Sequence, residues 1–410
     1  MLTDLDEEMR SRGLQAIVVL GDTNLSNPSL RYVIGCNLAR DGIYVKKFRR
    51  DPLLVTSNLD IGTARRSGIV RRMTTFTELG FEKIAAKFGS SNAYPAKAYP
   101  HFLTSILRKE QITGKVGIYG RNDLSAGIQL TDELRRLGIK VSGETSPTVL
   151  ESARETKSPR EIQELRRVGA RTSEVAKSVV ETLRNMNRKR GRLHLGKELA
   201  TIGMLKKRIS QRLAAENLMT PEGTILAIGA SGADPHNAGN PHDRIRVGRL
   251  IVFDIFPQAE TGYWFDLTRS FVVGRADRKA KEMFEAVLEA QNHSLDFLRE
   301  GVTGEEVMSR ACHAIEQRGF RTVREIYEGK SRGIQSGFSH SLGHGVGLTI
   351  GERPYLSFLS RTPLRAGHVV TVEPGVYLPR YGGVRIEDTV LITSRGVDNL
   401  ANLDKELEIT

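Results

Sequence analysis

The hydrophobic pattern along the first part of the chain alternates between two periods. Short, nearly continuous apolar runs occur at 15–20, 42–45, 52–56 and 115–119. Helical periodicity occurs before and between them, at 4–13, 58–66, 77–87, 101–109 and 123–137. Continuous apolar runs of this length are typical of strands that are buried on both faces. Their alternation with helices predicts an α/β domain with a mixed sheet.

A helix-start signal marks the end of this region. Ser158, Pro159 and Glu161 suit the N-cap, N1 and N3 positions of a helix, and together they predict a capping box. Apolar residues at three- and four-residue steps continue that helix. We therefore place a domain boundary near 153–158 and expect two domains, 1–154 and 155–410. A polar, basic link at 185–192 and a helix at 197–217 are predicted to follow.

Predicted strands of the second domain bring acidic residues to their ends. Strands are expected at 224–229, 250–256 and 266–274, and helices at 277–298 and 303–319. Asp254 and Asp266 then lie on the two arms of one hairpin. Because paired strands are about 5 Å apart, both carboxylates can reach one metal centre. Taken alone, the hairpin is better explained by two ordinary aspartates near a turn.

The stretch from 340 to 387 changes that interpretation. His344 lies among glycines at 343–347, and Glu373 ends the apolar run that starts at 369. Glu387 lies in a predicted strand at 383–392, on the same face as Arg385 because the two are two residues apart. Buried carboxylates without partners are unfavourable, and metal coordination offsets that penalty. Four carboxylates and a histidine at strand ends therefore predict a binuclear metal site.

Composition and charge narrow the class of protein. The 410 residues are 39% hydrophobic and 27% charged, which permits a packed core, and the formal net charge is +13. Basic clusters at 46–50, 188–192 and 206–208 are interpreted as solvated surface, because aromatic residues do not interleave with them as base stacking requires. Nucleic-acid binding is therefore not expected.

The sequence also indicates the cellular compartment of the protein. Cys36 and Cys312 are far apart and form no metal-binding or disulfide motif. The acidic first residues lack the apolar stretch of a signal peptide. No apolar run approaches the roughly 20 residues that span a membrane. We expect a cytoplasmic protein without a membrane partner.

From about 155 to 403 the chain resembles the pita-bread peptidases, which include methionine aminopeptidase, aminopeptidase P and Xaa-Pro dipeptidase (prolidase). The motifs that carry the resemblance are at 342–348, 372–375 and 383–388, together with Asp254 and 266–269. The first domain is similar to the creatinase/prolidase N-terminal domain, which favours the proline-specific branch. The resemblance implies an α/β N-terminal domain followed in sequence by an α+β pita-bread catalytic domain, and a homodimer.

The resemblance also implies a ligand set for two divalent metal ions. Asp254 would bind one metal, Asp266 and Glu387 would bridge both, and His344 and Glu373 would bind the other. A hydroxide bridging the metals would attack the Xaa-Pro bond, with Glu373 as proton shuttle. Oxygen donors with one imidazole suit Mn²⁺, Co²⁺, Fe²⁺ or Zn²⁺. The resemblance favours Mn²⁺.

Three further residues receive roles from the same resemblance. His236 and His340 would lie on the substrate side of the site, where His340 contacts a short proline-containing peptide. Arg385 would orient Glu387 or pair with the substrate. The implied activity is a metal-dependent Xaa-Pro peptidase, either a dipeptidase or an aminopeptidase.

Two departures from the family pattern leave alternatives open. Asp254 and Asp266 are twelve residues apart where the family usually has eleven, a difference that a turn or a bulge can absorb. Gly351 stands where the family has a histidine that hydrogen-bonds the scissile carbonyl. This second departure keeps a hydrolase or lyase acting on a small non-peptide substrate as an alternative. The high positive charge keeps a non-enzymatic binding protein as another.

Overall fold

A computed structural model describes residues 2–21, 27–88, 97–121, 123–189, 192–401 and 403–410. The chain forms two compact units, Met1–Arg154 and Glu155–Thr410. None of the described helices combines the length and the apolar character that a membrane-spanning helix requires.

The first unit is built on a six-stranded mixed sheet. Its strands are β1 (Ala16–Gly21), β2 (Gly42–Lys47), β3 (Leu53–Thr56), β4 (Arg72–Thr75), β5 (Lys115–Gly120) and β6 (Lys140–Ser142). They lie in the order β4-β3-β2-β1-β5-β6, and β1 is antiparallel to β2 but parallel to β5. β1 is buried on both faces, as its apolar run predicts.

Helices connect these strands. They are α1 (Leu2–Ser11), α2 (Pro28–Ile34), α3 (Ile61–Ser67), α4 (Phe81–Ala85), α5 (Ala98–Lys109), α6 (Leu124–Arg136) and α7 (Val149–Glu155). The sequence analysis did not predict α2, α7, β4 or β6. A signal for α2 was present, because Pro28 occupies its first turn and the Asn27 side chain accepts a hydrogen bond from the Leu30 backbone.

The second unit begins with a long helix whose predicted capping box is confirmed. Its helices are α8 (Pro159–Arg184), α9 (Ile202–Ala215), α10 (Arg278–Phe297), α11 (Gly304–Gln317) and α12 (Arg324–Tyr327). The strands before α10 are β7 (Asn187–Lys189), β8 (Arg192–Leu195), β9 (Glu198–Leu199), β10 (Leu218–Met219), β11 (Ile225–Ile228), β12 (Leu250–Ile255), β13 (Gln258–Ala259) and β14 (Leu267–Val273).

The strands after α12 carry most of the predicted site residues. They are β15 (Gly343–Val346), β16 (Ile350–Leu356), β17 (Val369–Val372), β18 (Gly375–Leu378), β19 (Gly382–Arg385), β20 (Asp388–Ile392), β21 (Val397–Asn399) and β22 (Glu408–Ile409). Two larger sheets have the orders β11-β12-β14-β22 and β16-β15-β17-β20-β21, and β18 pairs with β19. The first sheet packs with α8 and α9, and β17 and β20 pack with α10 and α11.

Three sequence predictions for this unit are wrong in detail. In the region predicted as a polar link, the described residues form two antiparallel strands, β7 and β8. Among the residues of these two strands only Leu193 is buried, so the usual apolar alternation is missing. The helix predicted from 197 begins at Ile202, because β9 occupies the preceding residues and Thr201 is the N-cap. The single strand at 383–392 is two strands with different partners.

Candidate metal centre

Asp254 and Asp266 lie on the same face of one hairpin. Asp254 on β12 is directly opposite Thr268 on β14, and Asp266 is two residues before Thr268. The pairing keeps one register up to a three-residue loop at 260–262, where Gly262 donates to the Ala259 carbonyl over 2.8 Å. The additional residue between the aspartates is therefore absorbed without a bulge.

Glu387 reaches this hairpin at the break between β19 and β20. Its backbone N–H donates to the Thr268 carbonyl over 3.0 Å, and its Oε2 accepts a hydrogen bond from Thr268 Oγ1 over 2.6 Å. These bonds explain why the predicted strand is interrupted. Glu387 pairs with Thr268, whereas β19 before it pairs with β18 and β20 after it pairs with β17. Thr268 thus fixes both the backbone and the carboxylate of Glu387.

His344 and Glu373 are held together by Thr371. The His344 backbone N–H donates to Thr371 Oγ1 over 3.1 Å, and that hydroxyl lies 3.3 Å from Glu373 Oε1. A Cβ atom at Gly343 would lie only 2.0 Å from the Thr371 carbonyl oxygen. Glycine beside His344 is therefore required for the close approach of β15 and β17.

The hairpin and the β15–β17 pair converge on one point. His344 Nε2 lies 3.6 Å from Asp266 Oδ2 and 3.5 Å from Glu373 Oε1. Donor atoms of Asp266, His344 and Glu387 all lie within 4.8 Å of one another. The structure therefore brings these predicted site residues together from segments that are far apart in sequence.

Three carboxylate oxygens at this point have no hydrogen-bond partner among the described residues. They are Asp254 Oδ1, Asp266 Oδ1 and Glu387 Oε1, and all three are buried. A buried acceptor without a partner is costly unless something else compensates it. Carboxylate oxygens with one imidazole are a donor set that divalent transition metals accept. The residues present therefore fit a divalent cation.

Electrostatic interactions among these residues support the same conclusion. Burial raises the pKa of Glu373 from 4.5 to about 8; Arg385 opposes the rise and Asp254 adds to it. Burial, together with neighbouring carboxylates, raises the pKa values of Asp266 and Glu387 well above their usual range. A cation here would stabilise the ionised forms that burial disfavours.

Arg385 is buried beside these carboxylates. Its Nη2 donates to Asp254 Oδ2, its Nη1 lies 2.9 Å from the Tyr377 hydroxyl, and its Nε lies 3.2 Å from Thr268 Oγ1. The direct carboxylate partner is thus Asp254, whereas the resemblance suggested Glu387. Arg385 and Glu387 share only the Thr268 hydroxyl, which nevertheless agrees with their predicted common face.

His340 belongs to a chain of hydrogen bonds that begins at Arg385. His340 Nε2 lies 2.9 Å from the Tyr377 hydroxyl, and His340 Nδ1 lies 2.8 Å from the Ser341 carbonyl oxygen. Burial, with a contribution from Arg385, lowers the pKa of His340 to about 3, so the ring is neutral. The pattern indicates that Nδ1 carries the proton and that Tyr377 donates to Nε2.

His236 lies on the exposed loop that follows β11. The carbonyl of its neighbour Pro235 accepts a hydrogen bond from Arg385 Nη1 over 3.3 Å. His340 is thus connected to Arg385 through Tyr377, and His236 directly follows a residue that contacts Arg385.

The sequence analysis missed Tyr377 and the two threonines of the site. Thr268 had a usable signal, because it is two residues from Asp266 on a predicted strand and so shares its face. Thr371 likewise is two residues from Glu373. Tyr377 had none, since its position depends on the pairing of β18 with β19.

Gly351 occupies a β-bulge between β15 and β16. Val346 pairs with Ile350 and Gly345 pairs with Glu352, which leaves Gly351 as the additional residue, with φ at +75°. A Cβ atom there would meet nothing within 4 Å. The position is thus open in space but has a backbone conformation that favours glycine.

Comparisons with known proteins agree with this geometry. The model of metallopeptidase family M24 matches residues 162–394, more than half of the chain. The Xaa-Pro dipeptidase of Pyrococcus horikoshii is 41% identical over 184 residues, which are 45% of this chain and 48% of that protein. The matched part thus spans about half the length of this curated relative.

Solved structures resemble the whole chain. The prolidase from Pyrococcus horikoshii superposes with a TM-score of 0.72 and 25% identity over 99% of both chains. The X-Pro aminopeptidase from Thermotoga maritima gives a TM-score of 0.75 and 23% identity over 98% of this chain and 99% of that one. The predicted fold class, an α/β part with a mixed sheet and an α+β pita-bread part, is confirmed. The chain belongs to metallopeptidase family M24.

Proposed function

We propose that this protein is a metal-dependent peptidase that hydrolyses the Xaa-Pro bond of dipeptides or short peptides. The observation that carries the proposal is the convergence of Asp266, Glu387 and Glu373 on His344, with buried carboxylate oxygens of Asp254, Asp266 and Glu387 lacking a partner among the described residues. Membership of family M24 and the names of the relatives support the substrate class.

We assign the metal ligands as the sequence predicts. Asp254, Asp266, His344, Glu373 and Glu387 would hold two divalent ions, and Mn²⁺ is preferred on the family resemblance alone. Bound metal would lower the pKa of water and polarise the scissile carbonyl. Glu373 would serve as the proton shuttle as well as a ligand, a role that rests on the family resemblance.

The remaining residues would bind and orient. His340 presents its ring beside Tyr377, and His236 lies on an exposed loop next to Pro235, which contacts Arg385; with the family resemblance, both are assigned to the substrate side. Arg385 would hold Asp254 in position and, through Thr268, the carboxylate of Glu387. Because these groups are tied to one another, we expect substitutions among them to be non-additive.

The finer features of the protein are also proposals. We assign 1–154 as a creatinase/prolidase-like N-terminal domain and 155–410 as the catalytic domain. A homodimer rests on the resemblance, and sedimentation velocity tests it. A cytoplasmic location is supported by the free thiols of Cys36 and Cys312, which suit a reducing compartment.

Gly351 favours a second candidate, a hydrolase or lyase acting on a small non-peptide substrate. Its position lacks the imidazole that the family pattern places there, and space around it is open. Hydrolysis of Ala-Pro, Met-Pro, Leu-Pro and Ala-Pro-Ala by the Mn²⁺-loaded protein separates the candidates, with Asp266→Asn as control. Turnover of dipeptides alone supports a dipeptidase, and turnover of the tripeptide supports an aminopeptidase. No turnover by metal-loaded protein would reject the proposal and favour the second candidate.

A further inference from the structure

Positive charge is concentrated in one short part of the second unit. Residues 185–215 contain nine lysines and arginines against one glutamate, a net charge of +8 out of the +13 of the whole chain. This segment forms the β7–β8–β9 sheet and α9, and it contains none of the residues assigned to the metal centre. The peptidase site therefore does not account for this charge.

We call five of these basic residues the basic strip: Lys189 and Arg192, which pair between β7 and β8, and Lys207, Arg208 and Arg212 on α9. All five are exposed. None forms an ion pair with an acidic residue in the part of the chain that the structure describes, whereas nearby Lys177 and Arg184 are paired with Glu174 and Glu406.

The arrangement of the basic strip is unfavourable for the isolated protein. Lys189 on β7 is directly opposite Arg192 on β8, and like charges in such a pair are destabilising. Arg208 and Arg212 are four residues apart on α9, where like charges also repel. The inward side of the same elements is apolar, with Leu193 and Leu205 in the core. The charges therefore project outwards without local compensation, and an anionic partner would relieve their repulsion.

The residues around the basic strip indicate which kind of anionic partner it can bind: single-stranded nucleic acid, a lipid surface or duplex nucleic acid. No phenylalanine, tyrosine or tryptophan occurs between 185 and 215, so unpaired bases have no large ring on which to stack. No large hydrophobic side chain in the described part of this segment is exposed, so nothing is available to insert into a lipid surface. The basic strip can therefore bind a partner only through its charges. Duplex nucleic acid suits such binding, because it carries one phosphate per about 1.7 Å of its axis.

We propose that the basic strip binds the phosphate backbone of double-stranded nucleic acid without sequence preference. Binding at this surface would be separate from catalysis, because the strip and the metal centre share no residue. The inference stands whether or not the peptidase assignment is correct. It revises the expectation, drawn from the lack of interleaved aromatic residues, that these clusters are merely solvated, since backbone binding needs no stacking.

The test measures fluorescence anisotropy of a labelled short DNA duplex with the full chain. The test variant is Lys189→Gln/Arg192→Gln/Lys207→Gln/Arg208→Gln. The matched control, Arg135→Gln/Arg136→Gln/Arg278→Gln/Arg318→Gln, removes the same charge from exposed arginines that already have acidic partners. Thermal unfolding of the metal-free proteins confirms folding independently of peptidase activity.

The unaltered protein should bind the duplex with an affinity that falls steeply between about 50 and 200 mM salt. The test variant should bind at least roughly tenfold more weakly, with a salt slope shallower by about 0.9 for each phosphate that it no longer neutralises. The control should stay within about twofold of the unaltered protein, because its substitutions lie outside the basic strip.

Other results would overturn the proposal. Equal weakening of both variants would mean general charge attraction. Tighter binding to poly-glutamate, to phosphatidylserine vesicles or to a single strand of the same length would assign the surface to another class of partner. Absence of duplex binding at low salt would reject the surface as a binding site.

Discussion

Thr268 Oγ1 donates a hydrogen bond to Glu387 Oε2 over 2.6 Å, and the other oxygen of that carboxylate, Oε1, is buried without a partner among the described residues. One oxygen is thus held in place and the other is left for a ligand. A hydroxyl that fixes a carboxylate in this way is the outer contact that metal-binding residues usually need.

Replacing Thr268 by Val should therefore weaken metal binding while leaving the fold intact. Valine has nearly the same shape but cannot orient Glu387, so affinity for Mn²⁺ should fall by about 10- to 100-fold. Isothermal titration calorimetry measures this change, and Thr268→Ser, which keeps the hydroxyl, should bind nearly as well as the unaltered protein. Equal affinities for the valine and serine variants would contradict the role assigned to Thr268.

Replacing Arg385 by Met should destabilise the metal-free protein more than the metal-loaded one. The change leaves Asp254 buried without its cation, and breaking a buried ion pair in this way costs about 3–5 kcal/mol. Bound metal would supply part of the missing positive charge. Urea unfolding with and without Mn²⁺ gives the two free energies. A loss that is the same in both states would show that Arg385 does not act through the carboxylates.

The sequence identified those site residues that a local pattern marks. It did not identify residues whose position depends on which strands pair. His344 was recognisable because it lies between glycines, and Glu373 and Glu387 were recognisable because each ends or interrupts an apolar run. Tyr377 was not, since its contact with His340 depends on a partner strand that local pattern does not specify.

The same distinction holds for the fold. The capping box at Ser158 and Glu161 is encoded within four residues, and it was predicted correctly. The β7–β8 strand pair was missed because its exposed, charged faces give no apolar alternation. The break after Arg385 was missed because it results from a bond between Glu387 and a distant strand.

The metal-free protein should lose stability as pH rises from about 6.5, above which His340 is neutral in both the folded and the unfolded state, to about 8. In the folded state the pKa of Glu373 is raised to about 8, so the folded protein keeps a proton that the unfolded chain has already released. Unfolding therefore becomes less unfavourable as pH increases through this window. Metal favours the ionised ligands, so the stability gained from Mn²⁺ should grow over the same range. Melting temperatures with EDTA and with Mn²⁺ measure this; parallel curves would contradict it.

Gly351→His tests whether the absent imidazole limits peptide turnover. The open space accommodates the ring, but the left-handed backbone should cost about 1–2 kcal/mol. Gly351→Ala carries the same strain without the imidazole and is the matched control. A restored hydrogen-bond donor should raise kcat/KM for Xaa-Pro dipeptides by about tenfold or more over the alanine variant. Equal kcat/KM values for both variants would show that this position does not contact the reacting carbonyl.

The central claim is that this chain holds two divalent metals through five residues, and metal stoichiometry tests it most directly. Mn²⁺ bound per chain is measured by elemental analysis after equilibrium dialysis, for the unaltered protein and for Asp254→Asn and Asp266→Asn. The account predicts two ions for the unaltered protein, one for Asp254→Asn and a loss of both for Asp266→Asn, because the proposal assigns Asp266 to both ions and Asp254 to one. Folded, unaltered protein that binds one ion or none would contradict the assignment of a binuclear centre.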